Sequence, residues 1–267
     1  MKQTPFRYTP PLFRRLIFMA GLALCALTAR GESVELYGRL EQFTWKEFIE
    51  GDRILKEDGP RVGVGVRGII ENFNAWRLGL RAEGVIGSVD YDGMTMGGEP
   101  AKDKTDYLGL RAEIYSLLVR PSDNAINVHP ILGIGSRYWV RRLAQGIPDR
   151  GGYDEGWLMV YGQLGAQIQC AIAPDAQLYA NAIFRPAIYN TTYYSIELDD
   201  EETFWLKPGK RPTWEVEAGL AIARVRFSVF YETLSFSESN VHVVPPLEAF
   251  QPKSEGKIIG AQIGVLW

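Results

Sequence analysis

The chain has 267 residues, of which 46% are hydrophobic, and its formal net charge is −3. An acidic chain of this kind argues against nucleic acid as a partner, because nucleic acid is bound by basic surfaces. Only two cysteines are present, so the dense disulfide framework of small exported domains is excluded. The spacing of histidines, cysteines and acidic residues indicates no catalytic residues, no metal site and no cofactor.

Residues 1–31 have the order of a secretory signal peptide. Basic residues open the segment, the apolar run 16–24 follows, and small residues come after it. The run is far shorter than the ~20 residues of a spanning helix. Cleavage after Ala29 and after Gly31 both fit, and Leu24 disfavours a lipid anchor on Cys25. Removal of residues 1–31 would change the net charge to −8 and leave Cys170 as the one cysteine.

Period-two alternation dominates the remaining chain. In residues 76–83 the even positions are apolar and the odd positions are Arg, Gly, Arg and Glu. The same pattern recurs at 61–67, 108–114, 164–170, 177–182, 214–220 and 226–229. Such alternation indicates strands with one apolar and one polar face.

The links between these strands alternate in length. Ten strands are predicted, at 34–45, 60–70, 75–90, 105–119, 128–141, 157–172, 176–188, 212–223, 224–235 and 256–267. Short turns lie at 71–75, 120–127, 173–175 and 223–224, and long polar loops at 46–59, 91–104, 142–156, 189–211 and 236–255. This rhythm predicts that residues 32–267 form a single all-β domain, an antiparallel up-and-down transmembrane β-barrel of ten strands. Eight or twelve strands are the alternatives, since the fourth loop could hold a hairpin at 191–196 and 203–207.

The last strand carries a specific resemblance. Residues 259–267 are apolar at every second position and end at Trp267. This resembles the C-terminal signal of bacterial outer-membrane β-barrel proteins, which the barrel-assembly machinery recognises. The resemblance implies a porin-like protein of a Gram-negative cell envelope, located in the cell outer membrane and in contact with its lipid and lipopolysaccharide. Trp76, Trp214 and Tyr231 have outward parity and suit the aromatic girdles of such barrels.

Charged side chains share the inward parity. A ten-stranded barrel is narrow, so these side chains should line the lumen and meet across it. Pairing would avoid the cost of isolated buried charges and plug the barrel; the alternative is a charge-lined conduit or binding cavity. Arginines outnumber glutamates, which predicts unpartnered arginines that favour small anions. The predicted lumen-lining residues are Arg61, Arg67, Arg77, Arg81, Glu83, Arg111, Glu113, Arg137, Arg141, Glu215, Glu217, Arg226 and Glu232.

Three functions follow as hypotheses. The first is an outer-membrane barrel of structural or surface-exposed role with a charge-filled lumen. The second is a narrow channel for small solutes or ions, and the third is a surface hydrolase. Omptin proteases resemble this chain in strand count, and residues 90–92 read Asp-Tyr-Asp, as their aspartate pair would require. The matching Asp-x-His is absent, because His129 lies near a predicted turn and His242 lies in the fifth loop.

Overall fold

A computed structural model describes residues 33–73, 76–94, 100–119, 125–143, 153–197, 201–244 and 247–267. The predicted signal peptide at 1–31 lies outside these described residues. Within them, no helix is both long enough and apolar enough to cross a membrane.

The described residues are almost entirely β-strands. Their bounds are β1 Ser33–Ile49, β2 Asp52–Phe73, β3 Trp76–Met94, β4 Pro100–Leu118, β5 Ile126–Leu143, β6 Tyr153–Ala173, β7 Ala176–Arg185, β8 Ala187–Glu197, β9 Glu201–Leu206, β10 Pro208–Lys210, β11 Thr213–Ile222, β12 Val225–Ser239, β13 His242–Val244, β14 Leu247–Ala249 and β15 Lys253–Leu266.

These strands close into an antiparallel barrel of ten members, which confirms the predicted fold. Pro186 separates β7 from β8, which form one member, because β6 pairs with both in turn. Strands β9, β10 and β11 together form the next member. Of these, β9 pairs with β8, β11 pairs with β7, and β10 pairs with β12 on the other side. Pairing of β15 with β1 closes the ring. The segment pair anticipated within the fourth loop is present as the hairpin of β8 and β9.

The two faces of each strand meet different surroundings. On β1, Leu36 and Leu40 are 53% and 59% exposed, whereas Tyr37 and Arg39 between them are buried. An apolar outer band continues on the other strands through Val62, Val64, Ile86, Leu132, Ile134, Ile168, Val229, Ile259 and Ile263, all exposed. A continuous apolar band around a closed barrel is the surface that meets lipid.

The strands continue well beyond this band at one end, which we call the extended end. The prediction of a loop at 46–59 is wrong, because β1 and β2 run on to a two-residue turn at Glu50 and Gly51, both with positive φ. The outward residues there include charged side chains such as Lys46 and Lys56, which suit a surface beyond the apolar band. Strands β3, β4, β8 and β9 likewise occupy most of the predicted second and fourth loops. We call the opposite end, with the turns at 174–175 and 223–224, the short-turn end.

Inward glycines make room for aromatic rings. Four tyrosines lie directly opposite a glycine of the neighbouring strand, in the pairs Tyr37 with Gly65, Tyr115 with Gly79, Tyr161 with Gly135 and Tyr179 with Gly219. A Cβ at Gly65 would lie 2.3 Å from the Tyr37 ring. Each ring therefore lies flat against the wall over a glycine, and a side chain there would push the ring into the lumen.

We expect Gly65→Ala to lower the free energy of unfolding by about 1–3 kcal/mol, because the added methyl displaces the Tyr37 ring in a packed interior. Urea unfolding of the folded barrel measures the change. Gly38→Ala is the matched control, since nothing lies within 4 Å of a Cβ at Gly38. Equal destabilisation by the two substitutions would contradict the steric role of Gly65.

Candidate functional site

The structure places most of the predicted lumen residues inside the barrel. Arg67 and Arg226 are half-buried, and Arg77 is exposed at the short-turn end. The remaining ten are buried, namely Arg61, Arg81, Glu83, Arg111, Glu113, Arg137, Arg141, Glu215, Glu217 and Glu232.

Ion pairs join opposite walls of the barrel. In the ring of ten, β3 lies opposite β11 and β4 lies opposite β12. Arg81 Nη1 of β3 donates to Glu215 Oε1 of β11 at 3.1 Å. Arg111 Nη2 of β4 donates to Glu232 Oε2 of β12 at 2.5 Å. Direct contacts along the diameter therefore join opposite walls of the lumen at this level.

Arg185 of β7 joins these pairs into one network. Its guanidinium lies 2.7 Å from Glu215, 2.8 Å from Glu232 and 3.0 Å from Glu113. Glu232 also accepts from Arg137 Nη2 at 2.6 Å. Carboxylates shared by several guanidiniums are held by charge-assisted hydrogen bonds, which are about twice as strong as neutral ones. We call this set, with Arg81 and Arg111, the ionic layer.

The expectation of unpartnered arginines is wrong. In the described chain, ion pairs join nine inward arginines to ten inward glutamates. The predicted lumen set omits Arg39, Arg185 and five of these carboxylates, so it gave an excess of arginines. Parity could have found some of them, since Glu35, Arg39 and Glu41 alternate with outward Leu36 and Leu40. The others lay in segments taken for loops or at strand ends. The missed carboxylates are Glu35, Glu41, Glu47, Glu57 and Glu155.

Tyrosines that lie over glycines reach the same carboxylates. Tyr37 donates to Glu83 at 2.9 Å and Tyr161 donates to Glu113 at 2.7 Å. Tyr179 donates to Glu217 at 3.0 Å. The tyrosine hydroxyls on the barrel wall thus donate hydrogen bonds to glutamates that also pair with guanidiniums. A buried carboxylate needs such hydrogen bonds to offset its loss of water.

A second filling lies nearer the extended end, and we call it the aromatic layer. Trp157 contacts Trp45, Trp139 and Phe236, with ring centroids 5.2, 5.3 and 4.8 Å apart. Trp45, Trp157 and Phe236 are 0% exposed. These rings come from β1, β5, β6 and β12, on different sides of the ring, so they fill the cross-section. The packing matches the edge-to-face and stacked contacts that stabilise aromatic clusters.

Beyond the aromatic layer, one arginine meets three carboxylates. Arg141 lies 2.9 Å from Glu47, 3.6 Å from Glu57 and 2.5 Å from Glu155. The partly exposed outer pair Arg142–Asp154 beside it shows that this level lies outside the apolar band. Burial, opposed by Arg141 and assisted by Glu47, raises the pKa of Glu155 to about 7. Burial therefore favours the protonated form of the Glu155 carboxyl.

The residues considered for hydrolysis are not assembled into a site. Tyr91 is the buried residue of its segment, so Asp90 and Asp92 face outward, and Asp90 accepts from the exposed Lys104 at 2.9 Å. His242 stacks on Phe204, with centroids 5.8 Å apart. Over the residues that can be described, no group of three or more His, Cys, Asp or Glu could hold a metal ion.

Comparison with solved structures agrees with this fold. The outer-membrane protease OmpT from Escherichia coli is similar over 89% of this chain and 96% of its own, with a TM-score of 0.56 and 9% identity. A major outer-membrane protein from Thermus thermophilus is similar over 86% and 98%, with a TM-score of 0.41 and 10% identity. No family model matches the sequence, and no curated protein matches it. The chain has the fold of a bacterial outer-membrane β-barrel.

We expect Glu232→Gln to lower the free energy of unfolding by about 3–5 kcal/mol, because it leaves three arginines without a shared buried carboxylate. Denaturant unfolding followed by tryptophan fluorescence measures this. Glu255→Gln, which breaks a pair with Lys253 whose side chains are 40% exposed, should cost less than about 1 kcal/mol. A cost for Glu232→Gln as small as this control would show that the ionic layer does not hold the barrel closed.

The raised pKa of Glu155 predicts a pH dependence with a definite sign. The folded pKa of about 7 exceeds the ordinary value of 4.5, so the folded state binds the proton more tightly. The contribution is present at acidic pH and is lost as the pH rises to 7 and above. Relative to Glu155→Gln, the native protein should therefore lose stability between pH 5 and pH 8. Urea unfolding at both values tests this, with the exposed Glu238→Gln as control; parallel pH profiles for native protein and Glu155→Gln would refute it.

Proposed function

We propose that this protein is an outer-membrane barrel of structural or surface-exposed role, whose charge-filled lumen serves as a rigid filling and not as a conduit. The observation that carries this proposal is the contact of opposite walls at two successive levels. At the first, Arg111 meets Glu232 across the diameter. At the second, Trp157 packs against Trp45 and Phe236.

The packed lumen continues into the extended end, where it supports the strands beyond the apolar band. Strands that run beyond the apolar band and enclose a packed interior form a stiff platform outside the membrane. The platform exposes apolar side chains, with Trp205 58% exposed on β9, and Val241 and Val243 57% and 61% exposed at β13. Exposed apolar groups rimmed by polar residues suit contact with another surface. A surface-exposed role therefore accounts for the extended strands and their exposed apolar side chains, which a channel would not need.

A narrow channel is the weaker alternative. Between the two layers lies a void of about 30 Å³, lined by residues that include Arg39, Phe43 and Trp139. This void holds about two waters, since each needs some 10–15 Å³. Conduction would require paired charges and packed rings to move together, which the cost of separating buried charges opposes.

A surface hydrolase is the other alternative, suggested by the likeness to a protease barrel. Hydrolysis needs a substrate to reach a positioned acid or base. Here the aromatic layer occupies the barrel interior below the extended end, and the outward aspartates face away from it. This chain therefore supports the structural role better than an enzymatic one.

In planar bilayers we expect the purified protein to give no single-channel steps in concentrated KCl. The reason is that ions would meet both the aromatic and the ionic layer, and in each of them opposite walls are in contact. A general porin recorded in the same membranes shows that insertion and detection work. Semi-native electrophoresis of the inserted sample verifies that the protein is folded.

Discrete, reproducible conductance steps from the folded protein would contradict the proposal and favour the channel. Turnover of peptide or lipid substrates by the same preparation would instead favour the hydrolase. Because the assays use one sample, a silent bilayer trace together with no turnover supports the structural role.

A further inference from the structure

A cavity of about 190 Å³ opens at the short-turn end of the lumen. The exposed residues Ser33 and Arg77 lie at its rim, and Arg81 and Glu113 of the ionic layer lie among its lining. At 10–15 Å³ for each water, the space holds roughly 13 to 19 waters or one small organic molecule. It is separate from the platform at the extended end.

One wall of this cavity is rich in amides. His129, Gln167 and Asn181 lie in a single row across β5, β6 and β7, because they are register partners. Gln169 Nε2 donates to Gln167 Oε1 at 2.7 Å, which extends the polar wall towards the rim. Amides provide both donors and acceptors of hydrogen bonds without net charge.

Several polar atoms of the lining have no hydrogen-bond partner within the described chain. They include Nδ1 of His129 and Nε2 of Gln163, whose residues are 6% and 1% exposed. They also include Oδ1 of Asn181 and Nε of Arg226. Buried polar groups are normally paired, so these donors and acceptors are available to molecules inside the cavity, either water or a bound ligand that replaces it. Asn181 Nδ2 donates to Glu217, which fixes the free oxygen of Asn181 as an acceptor.

The charges of the lining balance one another. Arg67 lies 3.6 Å from Glu35 and 3.5 Å from Glu217, and Arg226 lies 2.9 Å from Glu35. A small anion would satisfy free donors but leave the Asn181 oxygen unpaired, and a cation would do the reverse. A hydroxyl group donates and accepts at once, so several hydroxyls on one neutral molecule satisfy both kinds of group.

Apolar side chains complete the site. Leu117, Ile131 and Ile183 form a buried cluster that lines the same cavity, with Tyr115 packed against it. We propose that this cavity binds a neutral, polyhydroxylated molecule of about monosaccharide size. Its hydroxyls bond to the amide wall and its C–H face lies on the apolar cluster.

The two histidines of the sequence provide a built-in probe and control. His129 lies in the cavity, whereas His242 lies in β13 beyond the apolar band. The protein is labelled with ¹³C-histidine and folded in a detergent that contains no sugar. Glucose is titrated at constant pH and ionic strength, and His242→Gln assigns the two ring signals. We expect a saturable shift of the His129 signal alone.

Acetate and phosphate are titrated in the same way. A shift of His129 with either anion and not with glucose overturns the proposal in favour of an anion site. An unchanged His129 signal with all probes, or equal shifts of both histidines, also overturns it.

Matched variants locate the binding. Gln163→Met removes the amide at nearly equal volume and should weaken glucose binding about tenfold, the effect of losing a hydrogen bond to a buried group. Gln42→Met makes the same change on the exposed outer wall of β1 and should leave binding unchanged. Equal effects of the two variants would contradict binding in the cavity.

Discussion

The structure depends on one constraint, which is that charges held inside a narrow barrel must be paired. Isolation of a single buried ion costs several kcal/mol, so each inward arginine needs a carboxylate within reach. Arg81 and Arg111 each have one partner on a strand at the far side of the ring, Glu215 and Glu232 respectively. The network can therefore form only in a barrel that has closed with the right strand order and width. Closure and charge pairing stabilise each other.

Glycine and tyrosine make this pairing geometrically feasible. A narrow lumen cannot hold long arginines together with bulky neighbours on every inward position. Rings placed over opposing glycines keep close to the wall, and their hydroxyls still reach glutamates such as Glu83 and Glu113. Where the rings and charges meet, the lumen is closely packed, and in such an interior small changes of volume are felt.

The two ends of the lumen differ in a way that suits different tasks. Towards the extended end, buried tryptophans and the cluster of Arg141 with three carboxylates pack the lumen beyond the band. Towards the short-turn end, the ionic layer stops below the rim and leaves a cavity with unpaired amides. A filled barrel can thus carry a contact surface on one side and a small-molecule pocket on the other.

The sequence by itself determined the all-β barrel, its ten members and most of its inward charges, because period-two alternation depends only on which face each residue presents. It also indicated the outward Trp76 and Trp214, which are 44% and 52% exposed. Only the tertiary structure decided which charges meet and where strands end. The partners of an arginine lie up to 191 residues away, as for Arg226 and Glu35, and polar segments such as 46–59 stay extended because their inward side chains are buried against distant strands. The alternation of neighbouring residues cannot specify contacts that form only after the ring has closed.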